Sequence, residues 1–337
     1  MLASYLIQPG VIELRDADKP KPSRGEVLVK IKAALTCGTD LKAFQRGHPM
    51  IPMPGVFGHE FSGVIAETGK GVKDFKAGDE IMAVHSAPCL KCKYCSKKLY
   101  NLCENIMDTK VLGAFAEYIL LPKHIVKQNL FHKPANLSFE EAALLEPLAC
   151  VVHGMSGLKI KKGSKVLILG SGPIGLLHMS IAKLHGAHVM VCSRKKERLA
   201  FAKKFGADSV ATAEELPDET KIFTGGMGFD YVFECTGQLD VWEASINYVR
   251  KGGTVVLFGG VKSGATASYD THRLHYDEIT IKGVFHFTPH DVKTAYNLLK
   301  DTLNLFPLIS GSYPLKDLHI AFEKLSKGEG IKYAIIP

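Results

Sequence analysis

A two-domain α/β protein is the fold class this sequence predicts, with one mainly-β domain and one built on a doubly wound parallel sheet. Three observations predict it. The chain has 337 residues, 46% of them hydrophobic, which is too long for one core. In its first part the apolar residues fall in short alternating runs broken by turns. From Lys165 onward strand-like and helix-like runs alternate, the order that yields a parallel sheet.

The elements follow in order. Glu26–Ala33 alternates polar and apolar with period two, as a half-buried strand does. Phe61–Glu67 reads as a second strand and Ala114–Leu121 as a third, closed by Pro122. Ser138-Phe139-Glu140-Glu141 has the form of a capping box, so a helix is expected from there through Glu146. Strands are then expected at Val166–Leu169, Val189–Cys192, Asp230–Cys235, Thr254–Phe258 and Ile279–Phe285. Helices are expected at Gly175–His185, Glu197–Phe205, Asp291–Leu303 and Leu315–Lys327, and a last strand, Lys332–Ile336, returns to the first domain. The expected boundaries are 1–147 with 288–337 for one domain and 148–287 for the other.

The formal net charge is +8, with lysines spread along the chain and no basic block. That pattern argues against a nucleic-acid partner and permits anionic small molecules. No apolar run is long enough to span a membrane, and Met1–Gly10 lacks the layout of a secretory signal. A cytoplasmic protein is expected.

Val166–Leu169 leads directly into Gly170-Ser171-Gly172-Pro173-Ile174-Gly175. The three glycines fit the dinucleotide fingerprint between a strand and a helix. Gly170 permits the turn, Gly172 lets the pyrophosphate approach the backbone, and Gly175 lets helix and strand pack. Pro173 and Ile174 open the helix, whose free N–H groups attract an anion. The second strand ends in Ser193-Arg194-Lys195. An acid there would read the ribose hydroxyls of NAD. A serine and two cations suit a 2′-phosphate instead, so NADP is favoured over NAD.

Cys89, Cys92, Cys95 and Cys103 place four thiols within fifteen residues. In a chain without a secretion signal such a cluster reads as a closed, structural zinc site. Cys37, His59, Glu60 and Glu146 are spread out but together offer a sulfur, an imidazole and carboxylates. That mixed set can leave a coordination position open, as catalytic zinc requires. His153, two helical turns beyond Glu146, and Cys150, Cys192 and Cys235 read as packing residues. Phe285-His286-Phe287 follows a strand whose end should border the nicotinamide.

Cys37-Gly38-Thr39-Asp40, Gly58-His59-Glu60, the four-cysteine lobe, Glu146-Pro147 and the glycine loop stand in a recognisable order and spacing. Over essentially its whole length the chain resembles the zinc-containing medium-chain dehydrogenases, in particular their polyol (sorbitol-type), threonine and secondary-alcohol branch. The resemblance implies a GroES-like catalytic domain, folded from both chain ends, together with a Rossmann domain. It implies one catalytic and one structural zinc per chain, with Cys37 and His59 as ligands of the catalytic ion. Glu60 and Glu146 would exchange with water or substrate, and Thr39 would bind the substrate hydroxyl and begin a proton relay. Relatives often carry a His three residues after the Thr, where this chain has Lys42, so the onward relay lies open between His48 and the cofactor ribose. The expected activity is hydride transfer between a secondary alcohol, polyol or sugar and NAD(P), by a homodimer or homotetramer. A sugar-phosphate or threonine-type dehydrogenase is the nearest alternative, and a non-catalytic nucleotide-binding relative the next. A complete ligand set argues against the last.

Overall fold

Lys30 and Lys32 are the only exposed residues of the strand Val27–Leu35. The strand lies inside a seven-stranded sheet and pairs antiparallel with Glu60–Thr68, Tyr118–Leu121 and Lys332–Ile336. Its neighbours cover both ends, so the alternation survives only in the middle. The structure, a computed structural model, describes residues 1–337 and divides into two units. Met1–Cys150 with His286–Pro337 forms one, and Val151–Phe285 the other.

The core of the first unit is aromatic. Phe57, Phe115 and Phe322 are fully buried, with Phe57 against Phe115 at 4.9 Å between ring centroids. Each such ring contributes roughly 1.5–3 kcal/mol by leaving water. The final strand pairs Ala334 with Leu35, so the chain's end completes the sheet begun near its start.

Two expected elements differ. The strand foreseen over Ala114–Leu121 is regular only at Tyr118–Leu121. Before it, Ala114 and Phe115 donate to Gly58 and Phe57 while Phe115 accepts from Ser4, so no single partner supports a ladder. The helix foreseen from Ser138 through Glu146 stops at Ala142, although its capping box forms. A new helix, Leu145–Met155, starts with Pro147 in its first turn. A proline lacks the N–H that an interior turn must donate but a first turn need not. Glu146 therefore sits at a helix beginning rather than a helix end.

The second unit is a six-stranded parallel sheet. Its order runs Ser209–Ala211, His188–Cys192, Lys165–Leu169, Phe229–Glu234, Val249–Leu257, Thr280–Gly283. The sequence thus works outward from the third position in both directions, the order of a Rossmann domain. Thr280–Gly283 lies at the edge with one neighbour, and it is shorter than the run Ile279–Phe285 suggested. No helix is long and apolar enough to cross a membrane.

Candidate active site

The dinucleotide loop is the simplest part to build. Gly170 has φ +111°, a conformation side chains rarely adopt. A Cβ on Gly175 would stand 1.9 Å from the Gly170 carbonyl oxygen, so only glycine lets the helix Pro173–Leu184 pack on its strand. No atom lies within 4 Å of where a Cβ on Gly172 would stand, and no side chain caps the helix that Gly172 begins. The Ser171 hydroxyl is buried without a partner. Open space, uncapped N–H groups and an orphan hydroxyl fit a bound diphosphate.

Arg194 and Lys195 are exposed at the end of the second strand, and Ser193 is half-buried. Acids are near as well: burial, then Glu214 and Glu215, push the Cys192 thiol up to about 12. Glu215 is committed, since its carboxylate accepts from the Thr212 N–H at 2.9 Å.

In the first unit, Cys89, Cys92, Cys95 and Cys103 bring their sulfurs within 4.8 Å of one another, and none is in a disulfide. Cys92 and Cys103 sulfurs are 3.9 Å apart. A tetrahedral zinc with Zn–S bonds near 2.3 Å has sulfur–sulfur edges of about 3.8 Å. The thiols alone are in conflict. The Lys91 N–H, with Asn105 and other donors, draws Cys89 down to about 6, while burial beside Cys92 and Cys103 pushes Cys95 up to about 12. A bound dication would resolve this by holding all four as thiolates. Cys95→Ser is therefore expected to lower zinc content from about two to about one per chain and to destabilise the lobe. Metal analysis and thermal melting check it, and a stable variant with full zinc would contradict it.

The second candidate metal-binding set is assembled from distant segments. Cys37 caps the helix Gly38–Arg46, its sulfur accepting from the Thr39 N–H at 3.4 Å. His59 precedes the strand Glu60–Thr68, and Glu146 opens the helix Leu145–Met155. Their donor atoms form two overlapping groups that share His59: Cys37, Asp40 and His59, and His59, Glu60 and Glu146.

Three carboxylates are buried here, Asp40 at 0%, Glu60 at 1% and Glu146 at 5% exposure. One buried ammonium, Lys332, serves them, 2.5 Å from one Glu60 oxygen and also donating to the Thr36 carbonyl. The other Glu60 oxygen has no partner. Asp40 lies 3.4 Å from His59 Nδ1. Burial works against a charge on His59, but Asp40 and Cys37 outweigh it and hold the imidazole well above its usual range. Burial brings Glu146 up to about 7 despite His59. Such a cluster is costly unless a cation joins it, and sulfur, nitrogen and carboxylate together are a zinc donor set.

Several members were not foreseen. Lys332 and Asp40 had no assigned role. His85 is buried with Nδ1 3.4 Å from Glu146 Oε1, and burial followed by His59 and His286 lowers it well below its usual range. His286, in the Phe285-His286-Phe287 run already singled out, bonds the Ser86 hydroxyl at 2.6 Å and stacks on Phe287. Cys150, read as packing, has its sulfur 3.7 Å from Glu146 Oε1 and so adjoins the site. A lysine opening an otherwise apolar strand, Lys332-Tyr333-Ala334-Ile335-Ile336, was the one signal in the sequence that could have pointed to the ion pair.

Residues 23–131 match the alcohol dehydrogenase GroES-like domain and residues 173–301 the zinc-binding dehydrogenase domain. A sorbitol dehydrogenase of Halalkalibacterium halodurans is 32% identical, over 100% of this chain and 99% of the relative. The chain belongs to the zinc-containing medium-chain alcohol dehydrogenase family. A D-arabitol-phosphate dehydrogenase of Enterococcus avium is 34% identical to this dehydrogenase, over 95% and 92% of the two chains. Among solved structures, a zinc-binding dehydrogenase of Sinorhizobium meliloti bound to NADP superposes with TM-score 0.88. It is 30% identical, and the match covers 100% of this chain and 99% of that one. The protein is accordingly a zinc-dependent oxidoreductase of the alcohol and polyol class.

Proposed function

We propose that this dehydrogenase oxidises a secondary alcohol of a polyol or sugar, or reduces the corresponding ketone, with NADP as cofactor. The observation that carries the proposal is the buried cluster of three carboxylates, a thiol and an imidazole with one fixed ammonium. Cys37 and His59 would hold the catalytic zinc, with Glu60 and Glu146 able to enter or leave its shell. When bound, the ion polarises the substrate oxygen and brings deprotonation of an alcohol into the neutral range. Thr39, two residues from Cys37 in the first helical turn, would hydrogen-bond the substrate hydroxyl and begin the proton relay. His48 is a candidate for the next step, its Nδ1 accepting from the Met50 N–H and leaving Nε2 for the proton. The D-arabitol-phosphate relative and the net charge of +8 favour extending the substrate range to sugar phosphates. A panel of polyols, secondary alcohols, threonine and polyol phosphates, assayed with both cofactors, tests the reading. Activity confined to threonine, or none after zinc loading, would overturn it.

The cofactor preference rests on Ser193, Arg194 and Lys195 and on the NADP held by the S. meliloti neighbour. A charge-assisted bond to phosphate contributes roughly 1.5–3 kcal/mol. Arg194→Ala is therefore expected to weaken NADP about 10- to 100-fold and leave NAD nearly unchanged. Titration of each cofactor measures it, and equal weakening of both would remove Arg194 from the 2′-phosphate site.

The edge strand Thr280–Gly283 offers unpaired backbone groups on one side, an invitation to pair with a second copy. A homodimer, or a homotetramer built from it, is expected at micromolar concentration. Light scattering giving a monomer mass would contradict this.

A further inference from the structure

The Rossmann unit has a second concave site, at the opposite end of its strands from the glycine loop. The strands Lys165–Leu169, Phe229–Glu234 and Val249–Leu257 run parallel, and Gly170 follows the carboxyl end of the first. A cavity of about 500 Å³ lies at their amino ends, around Gly228, Val249 and Arg250. Its wall carries four cations, Lys221, Arg250, Lys251 and Arg273, against one carboxylate, Asp277.

The two guanidiniums are held in place by the protein. Arg250 uses Nε on Asp230 at 2.7 Å and Nη1 on the Lys251 carbonyl at 2.7 Å. Arg273 uses Nη2 on the Val249 carbonyl at 2.8 Å, with Nε 3.3 Å from Asp277. These bonds leave Arg250 Nη2 and Arg273 Nη1 for a ligand. Asp277 is shared, since Lys251 also reaches it at 3.0 Å. Lys221 pairs with Asp218 at 3.0 Å, so Asp218, Asp230 and Asp277 together answer the four cations and leave one net positive charge; two of the forks are already oriented, which reduces the entropy lost on gripping an oxyanion. Beside the cations stand Pro217, Tyr248 and Met227, the last 73% exposed. An exposed methionine next to a half-buried tyrosine gives an adaptable apolar surface.

We propose that this cavity binds a small phosphate monoester with an apolar or aromatic body, at a site separate from that of the dinucleotide. Phenyl phosphate is a suitable probe, titrated calorimetrically into the full-length protein with and without NADP. One saturable site per chain is expected, retained when NADP is present, with inorganic phosphate weaker and phenol inert. Lys221 and Lys251 side chains are 71% and 82% exposed, so K221Q/K251Q removes both cations without setting a new carboxylate beside Asp218 or Asp277. That variant is expected to lose about tenfold or more in affinity. K70Q/K73Q changes the net charge equally at exposed positions elsewhere and is expected to bind as the parent does. Displacement by NADP would assign the phosphate to the dinucleotide loop and overturn the proposal. So would equal loss in both double variants, inorganic phosphate binding as tightly as phenyl phosphate, or no saturable binding.

Discussion

Replacing His59 by Ala is expected to abolish turnover while the protein still binds nicotinamide dinucleotide. His59 is the one residue common to both donor groups of the buried cluster, so its loss breaks the set from either side. Lewis-acid stabilisation is worth several kcal/mol; ~4 kcal/mol corresponds to about a thousandfold in rate. The glycine loop and Arg194 belong to the other unit, so dinucleotide affinity should change little. His59→Ala also strands Asp40, which lies buried beside it, so a fold defect must be separated from a site defect. Cys37→Ser provides that control. Serine is a favourable N-cap and can accept from the Thr39 N–H as the sulfur does. Both variants are expected to lack activity and one equivalent of zinc, with Cys37→Ser keeping the stability that the parent shows in chelator. Wild-type turnover in either variant would mean the site is misassigned.

How much of this was legible in the sequence depended on whether the signal was local. The strand before the glycine loop, the loop and the helix after it lie within twenty residues, and their order in sequence is their order in space. The same holds for the four cysteines. The Ser138 capping box is legible too, because its two bonds span three residues. Where that helix ends is not, because its end is set by where Leu145 and Pro147 can start another. Ala114–Phe115 failed for a related reason: an apolar alternating run says nothing about whether one strand or three segments will receive its backbone bonds. The charge balance of the site was least legible of all. Glu60 and Lys332 are 272 residues apart, and no periodicity links them. His85 follows an apolar strand like any other polar residue after a strand, and only the fold sets it against Glu146. Asp40 stood inside a motif already noticed for its neighbours, but an aspartate in a helix's first turn has an ordinary reading as a partner of the helix dipole.

Lys332→Met is expected to cost about 3–5 kcal/mol of stability, the usual consequence of removing one partner from a buried ion pair. Lys332 is 1% exposed, and its ammonium meets only Glu60 and the Thr36 carbonyl. Methionine fills nearly the same volume, so packing changes little and the lost charge dominates. Glu60 is then left buried among Asp40 and Glu146. Burial already raises its carboxyl above the ordinary value, with Lys332 the largest influence opposing that rise. Without the lysine, Glu60 should take up a proton on folding. A group whose pKa is raised on folding stabilises only below its unfolded value and loses that stability as pH rises through the folded value, so the variant's deficit should grow from acid toward neutral pH. A double variant, K332M/E60Q, removes both charges and should recover much of the loss. Thermal melting of the parent, both single variants and the double, in chelator and in excess zinc, checks the cycle. At about 2–4 °C per kcal/mol for a chain of this size, K332M should melt roughly 6–20 °C below the parent. In excess zinc the gap should narrow, since a bound dication offers Glu60 the partner the lysine no longer provides. A deficit under about 1 kcal/mol in chelator, or no recovery in the double variant, would show that Lys332 does not neutralise the cluster.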